Sequence, residues 1–237
     1  MSGECLVRQE TDSGILGAGF YRLERWAPEA LPGEMAALPS PSLIEARVKG
    51  ELIEPGRQLM RLGFMKICCQ ANFLMDLTGD GPADADAAGT GEPETARRLG
   101  RDLLTRHAAN LSVSQFSLDP LLPGDCWLEL HRRFIGHALE SERILKFFCG
   151  DSFICFSLFP DRVFIEQLSV LTPRQGHGSA LVARAARWGR AMGLPLLEVC
   201  TECDNEAAFH FYLNQGFRPA AFFNVFHFHK GRVAPPV

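Results

Sequence analysis

The order of elements between residues 162 and 230 constrains the fold of this chain more than any other feature. RVFIEQLSV reads as a strand, TPRQGHGSA as a tight loop, SALVARAARWGRAMG as a helix and LLEVCT as a buried strand. AAFHFYLNQ then reads as a second helix, Gly216 as its stop and FRPAAFFNVFHFHK as a closing strand. Strand, helix, strand, helix, strand is an α/β pattern. The first helix is amphipathic: Leu181, Ala185, Trp188 and Met192 recur on one face, while Arg184, Arg187 and Arg190 share another. Gly193 and Pro195 stop it. Upstream, ILKFFCG and SFICFSLF read as successive strands, and residues 96 to 109 and 126 to 140 have helical periodicity.

TGDGPADADAAGTGEPET, residues 78 to 95, lacks large apolar side chains and reads as a flexible linker. It divides an N-terminal part, residues 1 to 77, from a C-terminal part, residues 96 to 237. The N-terminal part holds SLIEARV as a strand, PGRQLMRL as a short helix stopped by Gly63, and FMKICCQANFLMDL as one or two strands. Aligning Gly63-Phe64 with Gly216-Phe217 suggests an internal repeat of helix, Gly-Phe and strand. A shared helix-stop signal arising by chance explains the match equally well.

The 237 residues suffice to bury a real core. A net charge of −4 and a pI near 6.0 provide no global basic field for nucleic acid or an anionic membrane. The N-terminal MSGECLVRQETDSG is acidic where an export signal would be basic and apolar, and no apolar run is long enough to span a bilayer, so a soluble cytoplasmic protein is expected. Cysteines 5, 68, 69, 126, 149, 155, 200 and 203 lie mostly in apolar stretches and read as reduced, buried thiols. Cys200 and Cys203 form a Cys-x-x-Cys with no second pair at zinc-ribbon spacing.

Chemistry enters at the loop. Gly176 and Gly178 let the backbone turn tightly and leave N–H groups bare at a helix start, where the positive end of the helix dipole favours a pyrophosphate. Alone, a Gly-x-Gly loop is more often only a tight turn. Asn205, Ala208, Tyr212 and Gly216-Phe217 follow at the spacing Asn-x-x-Ala-x-x-x-Tyr-x-x-x-Gly-Phe. Together with the strand ending LSV and the loop, this combination resembles the GNAT superfamily of acyl-CoA N-acyltransferases, closely over residues 162 to 229 and more loosely back to about residue 96. SVSQFSLDPLLP, the spacing from Val199 to Asn205, and an N-terminal half ending RLGFMKI are similar to dTDP-fucosamine acetyltransferase and its relatives. Those enzymes place a degenerate GNAT-like half before a complete one. This sequence departs from them at Gln115, where they carry Arg before Phe, and at Pro173, where they carry a basic residue or Gln.

The resemblance implies a mixed, twisted sheet flanked by helices, acetyl-CoA as cosubstrate and no metal. It implies a small-molecule amine as acceptor, with an amino sugar on a nucleotide carrier as one candidate, no nucleic-acid or membrane partner, and it leaves a homodimer open. It further implies that the backbone at Leu168, Ser169 and Val170 pairs with the pantetheine arm and polarises the thioester carbonyl. Arg174, Gln175, Gly176, His177, Gly178 and Ser179 would hold the pyrophosphate, Asn205 the pantetheine, and Tyr212 would protonate the departing thiolate. Each role has a plainer counterpart: Asn205 as a helix cap, Tyr212 as a core aromatic, His177 as a residue used for its backbone alone.

Glu166 shares a strand face with Leu168 and Val170 by period-two alternation and is the candidate base, with an exposed or salt-bridged strand Glu as the alternative. His131 and His137, six apart on a helix, make a poor metal pair and read as helix-surface residues, although either can line an acceptor pocket. His227 and His229 lie on one face of the last strand, a metal pair lacking an identifiable third ligand.

Overall fold

The computed structural model describes residues 4–79, 92–122, 124 and 126–231. The N-terminal part forms β1 (Leu6–Arg8), α1 (Glu10–Leu16), β2 (Gly19–Leu23), α2 (Leu31–Ala37), β3 (Ser42–Lys49), α3 (Ile53–Arg61) and β4 (Met65–Asp76). The C-terminal part begins with α4 (Arg101–Ala109), α5 (Cys126–Glu140), β5 (Leu145–Cys149), β6 (Ser152–Phe159) and β7 (Arg162–Ser169). It ends with α6 (His177–Ala191), β8 (Leu196–Glu202), α7 (Glu206–Asn214) and β9 (Arg218–Lys230).

These strands make one mixed sheet in the order β1-β2-β3-β9-β4-β8-β7-β6-β5. Only β2–β3 and β7–β8 are parallel, and helices flank the sheet. The strand pairing crosses the division proposed from sequence, because β4 lies between β9 and β8 and pairs antiparallel with both. Ala71 and Phe73 of β4 accordingly sit in the same core as Leu181, Val182 and Ala185 of α6. Of the expected linker, residues 80–91 lie outside the described residues. Its far end is anchored: Glu94 pairs with Lys146 on the β5 edge.

The middle of the sheet has a two-fold pattern. The units β3-α3-β4 and β8-α7-β9 interlock so that β9 of one lies beside β3 of the other, and β4 beside β8. Both helices end the same way. Gly63 and Gly216 adopt φ of 88° and 89°, and the N–H groups of Phe64 and Phe217 return to the carbonyls of Leu59 and Tyr212 at 3.0 and 3.1 Å. Left-handed backbone at this point favours glycine and satisfies helix-end carbonyls.

On α6 the apolar face differs from the sequence expectation at one end. Leu181 and Ala185 are buried, but Met192 is 56% exposed, because it caps the helix rather than continuing it. Gly189 faces the sheet instead, and a Cβ there would stand 2.9 Å from Leu77 and 3.0 Å from Val163. The arginine face is not merely solvated either: the Arg184 guanidinium lies over the Phe147 ring, 4.0 Å from its centroid.

Candidate active site

A gap opens between two strands in the middle of the C-terminal part. β7 and β8 pair from Arg162 with Leu196 to Ile165 with Val199, and there the pairing ends. On its other side β7 pairs with β6, where Phe156 opposes Ile165 and Cys155 opposes Gln167, leaving Glu166 as the extra residue of a β-bulge. A bulge redirects side chains locally. The unbroken alternation expected from Glu166 to Val170 therefore fails at its first step, and both Glu166 and Gln167 line the space between the strands.

From Glu166 onward β7 keeps its bonds to β6 but offers a free edge toward β8. Such an edge suits an extended amide chain added as a strand. Two side chains unforeseen from sequence hold its end. Asn110 donates its amide N–H to the Val170 carbonyl at 2.8 Å, and His107 Nδ1 lies 2.8 Å from Ser169 Oγ. Both partners are about sixty residues away, and no local pattern signals such a contact.

At the wide end lies the loop before α6. Arg174 and Gly176 take left-handed backbone, with φ of 65° and 77°. The first bond within α6 runs from Ala180 N–H to the Gly176 carbonyl at 2.9 Å, so the N–H groups of His177, Gly178 and Ser179 have no acceptor inside the helix. That is the cradle a pyrophosphate requires. The His177 ring turns to Ser152, 3.5 Å from its Oγ. Gly178 is buried, and a Cβ there would lie 3.2 Å from the Phe211 ring. Gly178→Val should therefore displace the loop and weaken the binding of a pyrophosphate-bearing ligand there by about tenfold or more, the equivalent of a lost charge-assisted hydrogen bond, measurable by calorimetric titration.

The chain leaving β8 leads into α7. Asn205 caps this helix, its Oδ1 accepting the Ala208 N–H at 3.2 Å, and it also lines the gap. With the carbonyl oxygen engaged, the amide NH2 remains able to donate to a ligand carbonyl. Tyr212, one of the buried residues, packs 6.0 Å from Phe73 and 5.4 Å from Phe217 between ring centroids, and it lines the same gap. Burial pushes its phenol above the ordinary value, so it stays protonated at neutral pH.

The gap, about 220 Å³, adjoins a second cavity of about 400 Å³ roofed by the N-terminal part. Ser114, His131, Glu166, Gln167 and Glu202 line both. The cavity wall strips enough water from the Glu166 carboxyl to raise it above its usual range, although the residue as a whole is exposed at the mouth. His131 is buried rather than on the surface as the helix pattern suggested; burial pushes it down to about 4, and it meets Ser114 Oγ at 2.7 Å. His137 lines the larger cavity as well. Gln115 donates to the buried Glu45 at 2.7 Å.

His227 and His229 do have a third partner. Asp119 Oδ2 lies 2.7 Å from His227 Nδ1 and 2.7 Å from His229 Nε2, while Oδ1 accepts the Leu121 N–H at 2.9 Å. The three ligand atoms lie within 4.8 Å of one another, so the group could hold a metal ion, and that site is empty; as they stand, both ring nitrogens are at hydrogen-bond distance from the one carboxylate oxygen.

Comparison with known proteins agrees with this geometry. Residues 123–217 match the model of the acetyltransferase (GNAT) family. No curated protein matches the chain. A GCN5-related N-acetyltransferase from Kribbella flavida shares the fold with a TM-score of 0.56 at 13% identity, over 88% of this chain and 80% of that one. One from Sphaerobacter thermophilus gives 0.55 at 12% identity, over 98% and 78%. A tandem GNAT protein from the clavulanic acid biosynthesis pathway gives 0.53 at 13% identity, over 92% and 76%. Identities this low establish the fold alone. The family match over 123–217, lying across the splayed strands and the loop before α6, is a similarity to GNAT acetyltransferases over that stretch of the chain.

Proposed function

We propose that the chain moves an acetyl group from acetyl-CoA to a small primary amine by direct attack in a ternary complex. The observation that carries this reading is the splay of β7 from β8: the gap shares lining residues with the 400 Å³ cavity, and β7 runs on into the loop whose helix, α6, begins with bare N–H groups. Loop and strand edge suit CoA, whose pyrophosphate the N–H groups of 177 to 179 would bind and whose pantetheine amides Leu168, Val170 and Asn205 would meet. Arg174 and Gln175 add polar groups beside the loop. Pro173 does not disrupt it, since the left-handed turns at Arg174 and Gly176 still deliver the helix start.

The residues divide the proton work. Glu166 first takes a proton from the acceptor ammonium, directly or through water; the freed lone pair then forms the bond to the thioester carbon, and the second nitrogen proton passes to solvent as the tetrahedral intermediate collapses. A backbone N–H near Leu168 to Val170 steadies the carbonyl oxygen as it gains charge. Tyr212 gives its proton to sulfur as the carbon–sulfur bond breaks, and it recovers one from solvent. Since Glu166 must be ionised, the rate should fall as pH drops through its pKa, above the ordinary 4.5. Glu166→Gln should remove that limb from the pH profile and lower kcat by about a hundredfold.

The N-terminal part reads as a degenerate second copy. Extending the match of Gly63 with Gly216 sets Leu52 opposite Asn205 and Leu59 opposite Tyr212, so the copy lacks both functional side chains. No described helix is long and apolar enough to cross a membrane, and the supply of acetyl-CoA favours a cytoplasmic reaction. Amino sugars, free or nucleotide-borne, other small amines and peptide α-amino groups form the acceptor panel. Initial rates against both substrates should give intersecting double-reciprocal lines. Parallel lines would indicate an acyl-enzyme and exclude direct attack, and no thiol release with any amine would favour a module that only binds acyl-CoA.

A further inference from the structure

The larger cavity carries a charge pattern that narrows the acceptor. Asp12, Glu166 and Glu202 line it, and Arg22 is the only lysine or arginine among its described lining residues. Arg22 is already engaged, 3.4 Å from Asp12 and 3.4 Å from the buried Glu45 behind the wall. Arg47, at 3.0 Å, also serves Glu45. Among the described residues Glu202 accepts the Gln70 amide at 3.2 Å and the Gln115 N–H at 3.1 Å, with the Arg47 charge, which is spent on Glu45, nearby. His131 is neutral at physiological pH. Three carboxylates therefore stand against one arginine, with His137 also in the wall, while Phe20, Phe116 and Phe134 supply its apolar part.

The reacting amine cannot correct this imbalance, because it must be neutral when it attacks. Glu166 becomes uncharged in taking the proton, which leaves the carboxyl groups of Asp12 and Glu202 in the cavity wall. We infer that the acceptor is a compact amine with a second cationic group, a diamine-like molecule whose apolar spacer lies along the phenylalanines and whose distal ammonium is drawn to Asp12 and Glu202. The same pattern disfavours phosphate: among the described lining residues Arg22 is the one guanidinium, and it already meets Asp12 and Glu45. Size agrees, since about 400 Å³ holds roughly a dozen heavy atoms at liquid packing. A nucleotide-linked sugar would leave its nucleotide outside. Gln115, replacing the arginine of the nucleotide-sugar enzymes that the sequence resembles, is spent on Glu45.

This inference rests on the proposed transferase reading, and the test separates the two. Calorimetric titrations of 1,5-diaminopentane, pentylamine and a dTDP-linked amino sugar are run on the full chain, with CoA and without it. Diaminopentane should bind about tenfold tighter than pentylamine, an advantage lost in Asp12→Asn and reduced in Glu202→Gln, with the nucleotide sugar weakest. Circular dichroism confirms that each variant folds. Equal binding of the two amines, tighter binding of the nucleotide sugar, or binding of none would overturn the inference. Failure of CoA itself to bind would instead overturn the transferase reading, while the titrations without CoA still decide the charge preference of the cavity.

Discussion

Replacing Tyr212 by Phe should lower kcat by about a hundredfold to ten-thousandfold while leaving acetyl-CoA affinity nearly unchanged. The ring is held among Phe73, Phe211 and Phe217, with centroids 6.0, 5.3 and 5.4 Å away, and a phenylalanine fills the same volume. The substitution therefore removes the hydroxyl and little else. Because burial keeps the phenol protonated, Tyr212 can serve as a donor to sulfur and not as a base. Single-turnover thiol release together with titration of acetyl-CoA checks both halves. An unchanged rate would take Tyr212 out of the acid role, and a large loss of affinity would make it a structural residue.

Asp119→Ala should destabilise the fold by about 3 kcal/mol or more, because it strips the shared acceptor from two histidines in the middle of the sheet. The Asp119 and His227 side chains are fully buried, so water does not replace the lost bonds. Burial alone would raise the Asp119 carboxyl, but the hydrogen bonds from His227 and His229 outweigh it and hold the group well below the usual carboxylate range. A depressed pKa contributes stability that is present above the unfolded value near ~3.9 and is lost as pH falls through the folded value. The gap between parent and Asp119→Asn should accordingly persist from neutral pH to about pH 5 and close only in strong acid. Urea unfolding across that range measures it. A loss below about 1 kcal/mol at neutral pH would show that the bridge adds nothing beyond an ordinary hydrogen bond.

Elements with sustained periodicity were legible in the sequence. The helix expected over 126 to 140 is α5 without change, and the strands after residue 145 fall where the apolar runs place them. Short elements were not: β1, α1, β2 and α2 span three to seven residues each, too few for a pattern to emerge. The helix expected from residue 96 begins only at Arg101, because the chain before it is drawn out along β5, where Glu94 bonds Lys146. Local motif spacing identified the loop glycines, Asn205 and Tyr212. The bulge at Glu166 depends on the register of a partner strand, and the Asp119 bridge joins residues 108 and 110 positions apart. His131 illustrates the same limit, since its burial follows from what packs over α5 and not from its position on the helix.

On the proposed function, acetyl-CoA binds between β7 and β8 and is turned over against an amine. Isothermal titration of the purified protein with acetyl-CoA, followed on the same sample by thiol release in the presence of the amine panel, addresses that function most directly. Micromolar binding with amine-dependent release is the expected result, and Gly178→Val should weaken the first while Tyr212→Phe suppresses the second. An absence of acetyl-CoA binding by the folded parent protein would contradict the account at its base.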